Sequence, residues 1–276
     1  MIRIAFPLLG PGWMGGRNYL INLIRVLKLH YPNDIQSIVY CSDDISEKEL
    51  DLLHSDGVDE VRLVSALNPK NNIKNLLNAI FLGKNREFER SLKNDNIDLV
   101  LECSAYFGWL FSIPTLAWFP DFQHRRMPHM FSKLGYWKRE ILWQLQVRSN
   151  RSIYVSSEVA KKDCETFLPV SKGRVSVVHF ATYPKTPNPD ENLTIIREKY
   201  NLPENFFYLP NQFWKHKNHE VVIKALGIIK ENRSDIVVVA TGNTVDLRHA
   251  EHFEELEQLK NKLGVEKNFI VLGLID

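Results

Sequence analysis

Cysteine is scarce. Only Cys41, Cys103 and Cys164 occur among 276 residues, far apart and in no CxxC spacing. An odd, scattered set excludes a disulfide framework and argues against a zinc site. Reduced, buried thiols of a cytoplasmic protein are the simpler reading. Long hydrophobic runs are also missing. No apolar stretch reaches the ~18–20 residues a membrane span requires. The apolar start lacks the charged region and small-residue cleavage site of a signal peptide, so residues 2–8 read as a first buried strand. Nor does one charge dominate. With 35 basic and 33 acidic residues the net charge is +2, which leaves no footprint for nucleic acid.

What the sequence does have is alternation. Short apolar runs at 2–8, 35–40, 61–64, 97–102, 114–119, 152–156 and 175–178 are separated by helical spacings at 17–30, 46–55, 72–94, 132–148 and 158–167. A break is expected near Gly83, and Ser157 suits an N-cap. Such alternation predicts βαβ units and a parallel sheet. The stretch 183–190 then holds three prolines in six residues, which neither a helix nor a central strand sustains. We place a linker at 183–192 between a first domain, 1–182, and a second, 193–276. The pattern restarts with strands at 206–209, 236–241 and 269–272 and helices at 219–231 and 253–263. That half is small for a Rossmann-like domain, so a chain cut short at its C-terminus is expected.

Three loops carry candidate chemistry. Gly10-Pro-Gly12-Trp-Met-Gly15-Gly16 follows the first strand and opens the first helix, where free N–H groups favour a phosphate. It is not GxGxxG, so NAD is disfavoured, and a packing turn is the plain alternative. The second loop, Pro120–Pro128, follows the strand at 114–119, and ligands of open parallel sheets bind beyond strand carboxyl ends. In it, Asp121 and His124 suit proton transfer or the orientation of sugar hydroxyls. Arg125 and Arg126 suit phosphate. The alternative is a salt-bridged surface loop. The third, Pro210–His219, sets Lys215 and Lys217 at a helix N-terminus, an unfavourable place for cations unless an anion binds there. Its Lys/His alternation lacks carboxylate or thiolate partners, and no metal is expected. Beyond these loops, residues 132–151 mix Lys133, Lys138, Arg139, Arg148 and Arg151 with Tyr136, Trp137 and Trp143. That mixture suits a peripheral membrane contact, or an amphipathic helix whose Trp residues pack inward.

Taken in order, these loops resemble the family-4 retaining glycosyltransferases of the GT-B fold across nearly the whole chain. Gly15-Gly16 is similar to the family's glycine pair near the donor phosphate. Trp118–His124, Ile153–Glu158 and Val175–Phe180 resemble segments of its first domain, and Phe206–His219 resembles the opening of its donor domain. Three positions depart from the pattern. Pro120 stands where a His is often found. Gln212 stands at the phosphate-binding Arg position, leaving Lys217 as the cation. The family's two-glutamate motif would fall beyond Asp276. The resemblance implies an α/β, GT-B-like fold with two Rossmann-like parallel-sheet domains facing a cleft, the second incomplete. It implies sugar transfer from a nucleotide diphospho-sugar to a saccharide or lipid-linked acceptor, with retention, in surface-polysaccharide or glycoconjugate synthesis. Asp121 and His124 would be catalytic, and Gly15, Gly16, Gln212 and Lys217 would hold donor phosphate. Arg125, Arg126 and Lys215 would assist. No cofactor or metal is implied, and the setting would be cytoplasmic, at the inner membrane face. A nucleotide-sugar epimerase of similar build and a non-catalytic nucleotide-sugar-binding module are the rivals.

Overall fold

The computed structural model describes residues 1–8, 14–55, 58, 60–103, 105–149, 151–182, 193–246 and 248–275. The chain divides into two compact units, Met1–Pro184 and Lys185–Asp276. The proline-rich linker and Gly10–Gly12 lie outside the described residues.

The first unit opens with β1 (Ile2–Pro7), α1 (Met14–His30), β2 (Ile35–Cys41), α2 (Glu47–Ser55) and β3 (Val61–Leu63). The chain then returns through α3 (Asn72–Phe81) and α4 (Arg86–Asn94) to β4 (Leu99–Cys103), on the far side of β1. It continues through β5 (Thr115–Phe119), the four-residue α5 (Gln123–Arg126), α6 (Lys133–Arg148), β6 (Ser152–Val155), α7 (Glu158–Phe167) and β7 (Val175–Val177). The result is one parallel sheet in the order β3-β2-β1-β4-β5-β6-β7. The strands read as unbroken apolar runs because both faces are covered. Ile4 and Phe6 pack with Tyr19, Leu20 and Ile24 of α1 and Leu53 of α2. Ala5, between them, points the other way, toward Phe88 and Leu92 of α4.

The break expected near Gly83 is real and separates α3 from α4. Asn85 caps α4, its side chain accepting from Phe88 N–H at 3.2 Å. Gly108 (φ +113°) presses on this corner so closely that a Cβ there would sit 2.1 Å from the Gly83 carbonyl oxygen. Ser157 caps α7 as expected, accepting from Ala160 N–H at 3.1 Å.

The second unit holds α8 (Leu193–Tyr200), β8 (Phe207–Pro210), α9 (His219–Ile229), β9 (Val238–Thr241), α10 (His252–Leu263) and β10 (Phe269–Gly273). Its sheet is parallel, in the order β10-β9-β8. Ile223, Leu226 and Leu256 bury against Val238, Ala240 and Phe269. Neither α5 nor α8 was expected from the sequence. The first is a single turn, and α8 leaves Ile195 exposed, so its apolar periodicity is faint. Among the described residues no helix is long and apolar enough to cross a membrane.

Candidate functional site

In the first unit the chain reverses its direction of strand addition between β1 and β4. That switch point is where an open parallel sheet forms a crevice beyond its carboxyl ends. A cavity of about 520 Å³ lies there, reached from the ends of β1, β2, β4 and β5. Gly16, Arg17, Asp44, Glu49, Arg139 and Trp143 are among its lining residues. Gly15 and Gly16 fall in the first turn of α1. Gly15 is exposed, and Gly16 is buried against the cavity. No acidic residue occupies that turn to compete for its N–H groups. Cys41 and Cys103 also reach the wall, and burial pushes the Cys41 thiol up to about 12, so it stays protonated and unreactive at neutral pH.

The loop after β5 is only partly what the sequence suggested. Asp121 is half-exposed, accepting from Gln123 N–H at 3.0 Å and facing the cavity-lining Arg139 at 3.3 Å. His124 does not stand beside it at the surface. Its ring has no solvent exposure, packs edge-on against Trp143, and lies with Nε2 3.3 Å from Glu140. Burial lowers the pKa of His124, outweighing the bond from Glu140. A substrate cannot touch this imidazole, so His124 is not a contact catalyst. Arg125 and Arg126 keep some exposure but are each engaged by a carboxylate. Arg125 makes a two-pronged pair with Glu140, and Arg126 one with Asp163. Neither arginine lines the cavity. Burial alone would raise the Glu140 carboxyl, but bonds from Arg125, Gln144 and His124 hold it below the usual range. Glu140 is therefore a hub that fixes the Asp121 loop onto α6.

Arg151 also leaves the surface basic group in which the sequence placed it. It is buried, with Nε 3.3 Å from Glu102 and Nη2 donating to Gly108 O at 2.6 Å.

In the second unit, β8 runs into a loop, a tight turn at Lys215–Lys217, and α9. Gly242 (φ +141°) lets the loop after β9 close on this one, since a Cβ would lie 2.3 Å from Asn211 O. The Gln212 side-chain oxygen accepts from Asn243 N–H at 2.9 Å, so only its NH₂ end could serve a phosphate. Asp246, which sequence reasoning missed, organises the turn. It is 2% exposed and accepts from the backbone N–H of Lys215 at 3.1 Å and of Arg248 at 3.0 Å. Burial alone would raise its carboxyl, and these N–H groups with the Arg248 guanidinium bring it below the usual range. Arg248 lies over the Trp214 ring and reaches His216 Nδ1 at 3.4 Å. A carboxylate two residues before an arginine, just past a strand's carboxyl end, was the available signal.

Lys215 Nζ is 3.9 Å from Glu255. Lys217 is exposed and makes no side-chain ion pair among the described residues. The entrance to α9 thus gathers Lys215, Lys217 and Arg248 beside Glu220 of its first turn, and Lys217 engages no carboxylate among the described residues. An anion would satisfy the cation and the first N–H groups of α9 together.

Beneath the turn, His219 stacks on Phe213 at 4.4 Å and is 1% exposed. Burial, with His252 and Lys217 nearby, lowers its pKa to about 4. In the unfolded chain the imidazole titrates near ~6.5. Between those values the unfolded state binds more protons, so stability falls as pH drops from about 6.5 toward about 4. Urea titrations across that window should show the slope, and His219→Leu should flatten it. An unchanged slope in the variant would show that other groups cause it.

No protein-family model matches the chain, and no curated protein matches it in sequence. Solved structures do match in fold. Over the whole of this chain it is similar to Anabaena Alr3699/HepE in complex with UDP and glucose, at 16% identity, TM-score 0.67 and 70% of that chain. It is similar to sucrose-phosphate synthase from Thermosynechococcus elongatus, at 13% identity, TM-score 0.64 and 71% of that chain. The UDP-GlcNAc 2-epimerase from Methanocaldococcus jannaschii matches at 15% identity, TM-score 0.55 and 74% of that chain. At such identities the likeness concerns the fold, and the chain has a GT-B-like α/β fold built of two parallel-sheet units.

Proposed function

We propose that the protein is a glycosyltransferase of the family-4, retaining kind that moves a sugar from a nucleotide diphospho-sugar to an acceptor hydroxyl. The observation that carries this reading is the cationic turn at the start of α9, on a fold shared with a structure holding UDP and glucose. As the glycosidic bond to the diphosphate breaks, negative charge grows on the leaving group. Lys217 and the N–H groups of α9 are fixed donors suited to stabilise it. Lys215 and the Gln212 NH₂ end support the same group.

In the first unit, the N-terminus of α1 with Gly15 and Gly16 is suited by itself to a phosphate group. The switch-point cavity, walled by Trp143, Leu20 and Leu53 and edged by arginines and carboxylates, suits a hydroxyl-rich saccharide or saccharide-lipid acceptor. We assign to Asp121, which pairs with the cavity-lining Arg139, the orientation of acceptor or donor hydroxyls. The transfer needs no metal or redox cofactor in this scheme, because fixed cations take the phosphate charge. We assign it to the cytoplasm and to surface-polysaccharide or glycoconjugate assembly.

The likeness to a UDP-GlcNAc 2-epimerase keeps a second reading open. Product analysis separates the two. A transferase consumes donor only when an acceptor is added and yields a glycoside with the donor's anomeric configuration. An epimerase converts the donor alone. Acceptor-independent conversion would overturn the transfer reading.

A further inference from the structure

The outer surface of the helices on one face of the first sheet carries a combination that sugar transfer does not use. Strand register places Ala5, Val100, Glu102 and Ala117 on the same face. There, Phe88 and Leu92 of α4 pack over Ala5 and Val100, while Ala79 of α3 and Trp143 of α6 join the cluster over Ala117 and Phe119. Helices α3, α4 and α6 therefore form one layer.

The outward side of that layer is apolar. On α3, Ile73, Leu77 and Phe81 recur every fourth residue, with Ile73 77% and Phe81 75% exposed. On α6, Leu134, Trp137 and Ile141 form a second stripe, with Leu134 81% exposed. Trp109 and Leu110 are exposed beside the α3–α4 corner, Trp109 donating to Ile80 O at 3.3 Å. Scattered surface hydrophobes need no explanation, but stripes on helices of one layer do.

The same segments are nearly free of negative charge. No Asp or Glu occurs from residue 61 to 86, and from 122 to 157 the only one is Glu140, which is buried and bonded to Arg125. Across the chain about one residue in eight is acidic, 33 of 276. Between the end of α3 and the start of α4 lies a groove of about 420 Å³ lined by Lys74, Leu82, Lys84, Arg86, Glu87 and Arg90, among others. Lys84 pairs with Glu89 at 2.8 Å, and Glu87 is bonded to Ser65. Lys74, Arg86 and Arg90 have no carboxylate partner among the described residues.

We propose that this layer is a docking face for an anionic lipid bilayer. The α3 and α6 stripes seat at the headgroup–acyl boundary, and the Lys74–Arg86–Arg90 groove takes a lipid phosphate. A soluble phosphate would satisfy the groove but leave both stripes in water, whereas a bilayer surface satisfies both. The arrangement pairs buried apolar area with electrostatic attraction, as interfacial helices do. A lipid-linked acceptor would then be met in its own plane.

The test is co-sedimentation of the 276-residue chain with phosphatidylcholine vesicles, with and without phosphatidylglycerol. Binding should require phosphatidylglycerol and weaken as salt rises from about 0.1 M to about 1 M, where the screening length shrinks from ~10 to ~3 Å. Each basic residue near an anionic surface contributes roughly fivefold, so R86Q/R90Q, which removes two positive charges, should lower partitioning by about 25-fold. Leu134→Ser with Trp137→Ser should lower it by about 10-fold or more through lost apolar insertion. These side chains are exposed, so the variants should keep the parent melting temperature, and inorganic phosphate should compete only weakly. Equal binding to both vesicle types, or variants that partition like the parent, would overturn the proposal. So would retention on heparin without vesicle binding, which would mark a soluble polyanion site.

Discussion

Replacing Lys217 with alanine should weaken nucleoside diphosphate binding by roughly 10- to 100-fold, as measured by calorimetric titration of the full chain. The size follows from the ~1.5–3 kcal/mol that a hydrogen bond to a charged group contributes, at about 1.4 kcal/mol per factor of ten. Lys217 earns this weight because its side chain makes no ion pair among the described residues and it stands at the entrance to α9. Lys224, on the same helix, is paired with Glu220 and serves as the control. Lys224→Ala should leave that affinity unchanged. If Lys217→Ala binds the same nucleoside diphosphate as tightly as the parent, the phosphate assignment at α9 is wrong.

The second large effect concerns the first unit's interior. Arg151→Met should destabilise the chain by about 3–5 kcal/mol, the cost of leaving one member of a buried pair without its partner. Glu102 has no exposed surface, and its Oε1 accepts from Phe107 N–H at 2.7 Å. Burial pushes its carboxyl up and Arg151 draws it down, so loss of the guanidinium strands the group. Adding Glu102→Gln removes the buried charge while keeping an acceptor for Phe107, so the double variant should recover much of the loss. Urea denaturation at neutral pH reads both. A loss within the ~0–1 kcal/mol of an exposed pair would show that the Glu102–Arg151 contact is not the interior tie described above. The half-exposed Arg139–Asp121 pair, by contrast, should matter little for stability.

The sheet of the first unit was legible because its strands are buried on both faces and so read as unbroken apolar runs between helical spacings. The cavity was legible to the extent that a ligand site in such a sheet lies at strand carboxyl ends, where Gly16 and Pro120 stand. Side-chain commitments were not legible. Arg125 and Arg126 look like surface cations, but their partners lie 15 and 37 residues away. Nothing local reveals that Glu140 and Asp163 face inward from their helices. Arg151 reads as one more basic residue until β5 is placed between β4 and β6, which brings Glu102 to it. On α6 both readings of the aromatic-basic mixture hold for different residues. Trp143 packs inward, and Trp137 and Ile141 face solvent. In the second unit, Lys217 stood out by charge at a helix start. Asp246 did not, because its role is to hold backbone N–H groups of a turn that the sequence alone does not close.

The proposed transfer depends on recognition of the diphosphate of a nucleotide sugar. The most direct test is equilibrium titration of the chain with a panel of nucleoside diphosphates beside the matching monophosphates. At least one diphosphate should bind about tenfold or more tightly than its monophosphate, with the gap narrowing in Lys217→Ala. If no diphosphate binds, or if mono- and diphosphates bind alike, the chain does not recognise a nucleotide sugar through its diphosphate.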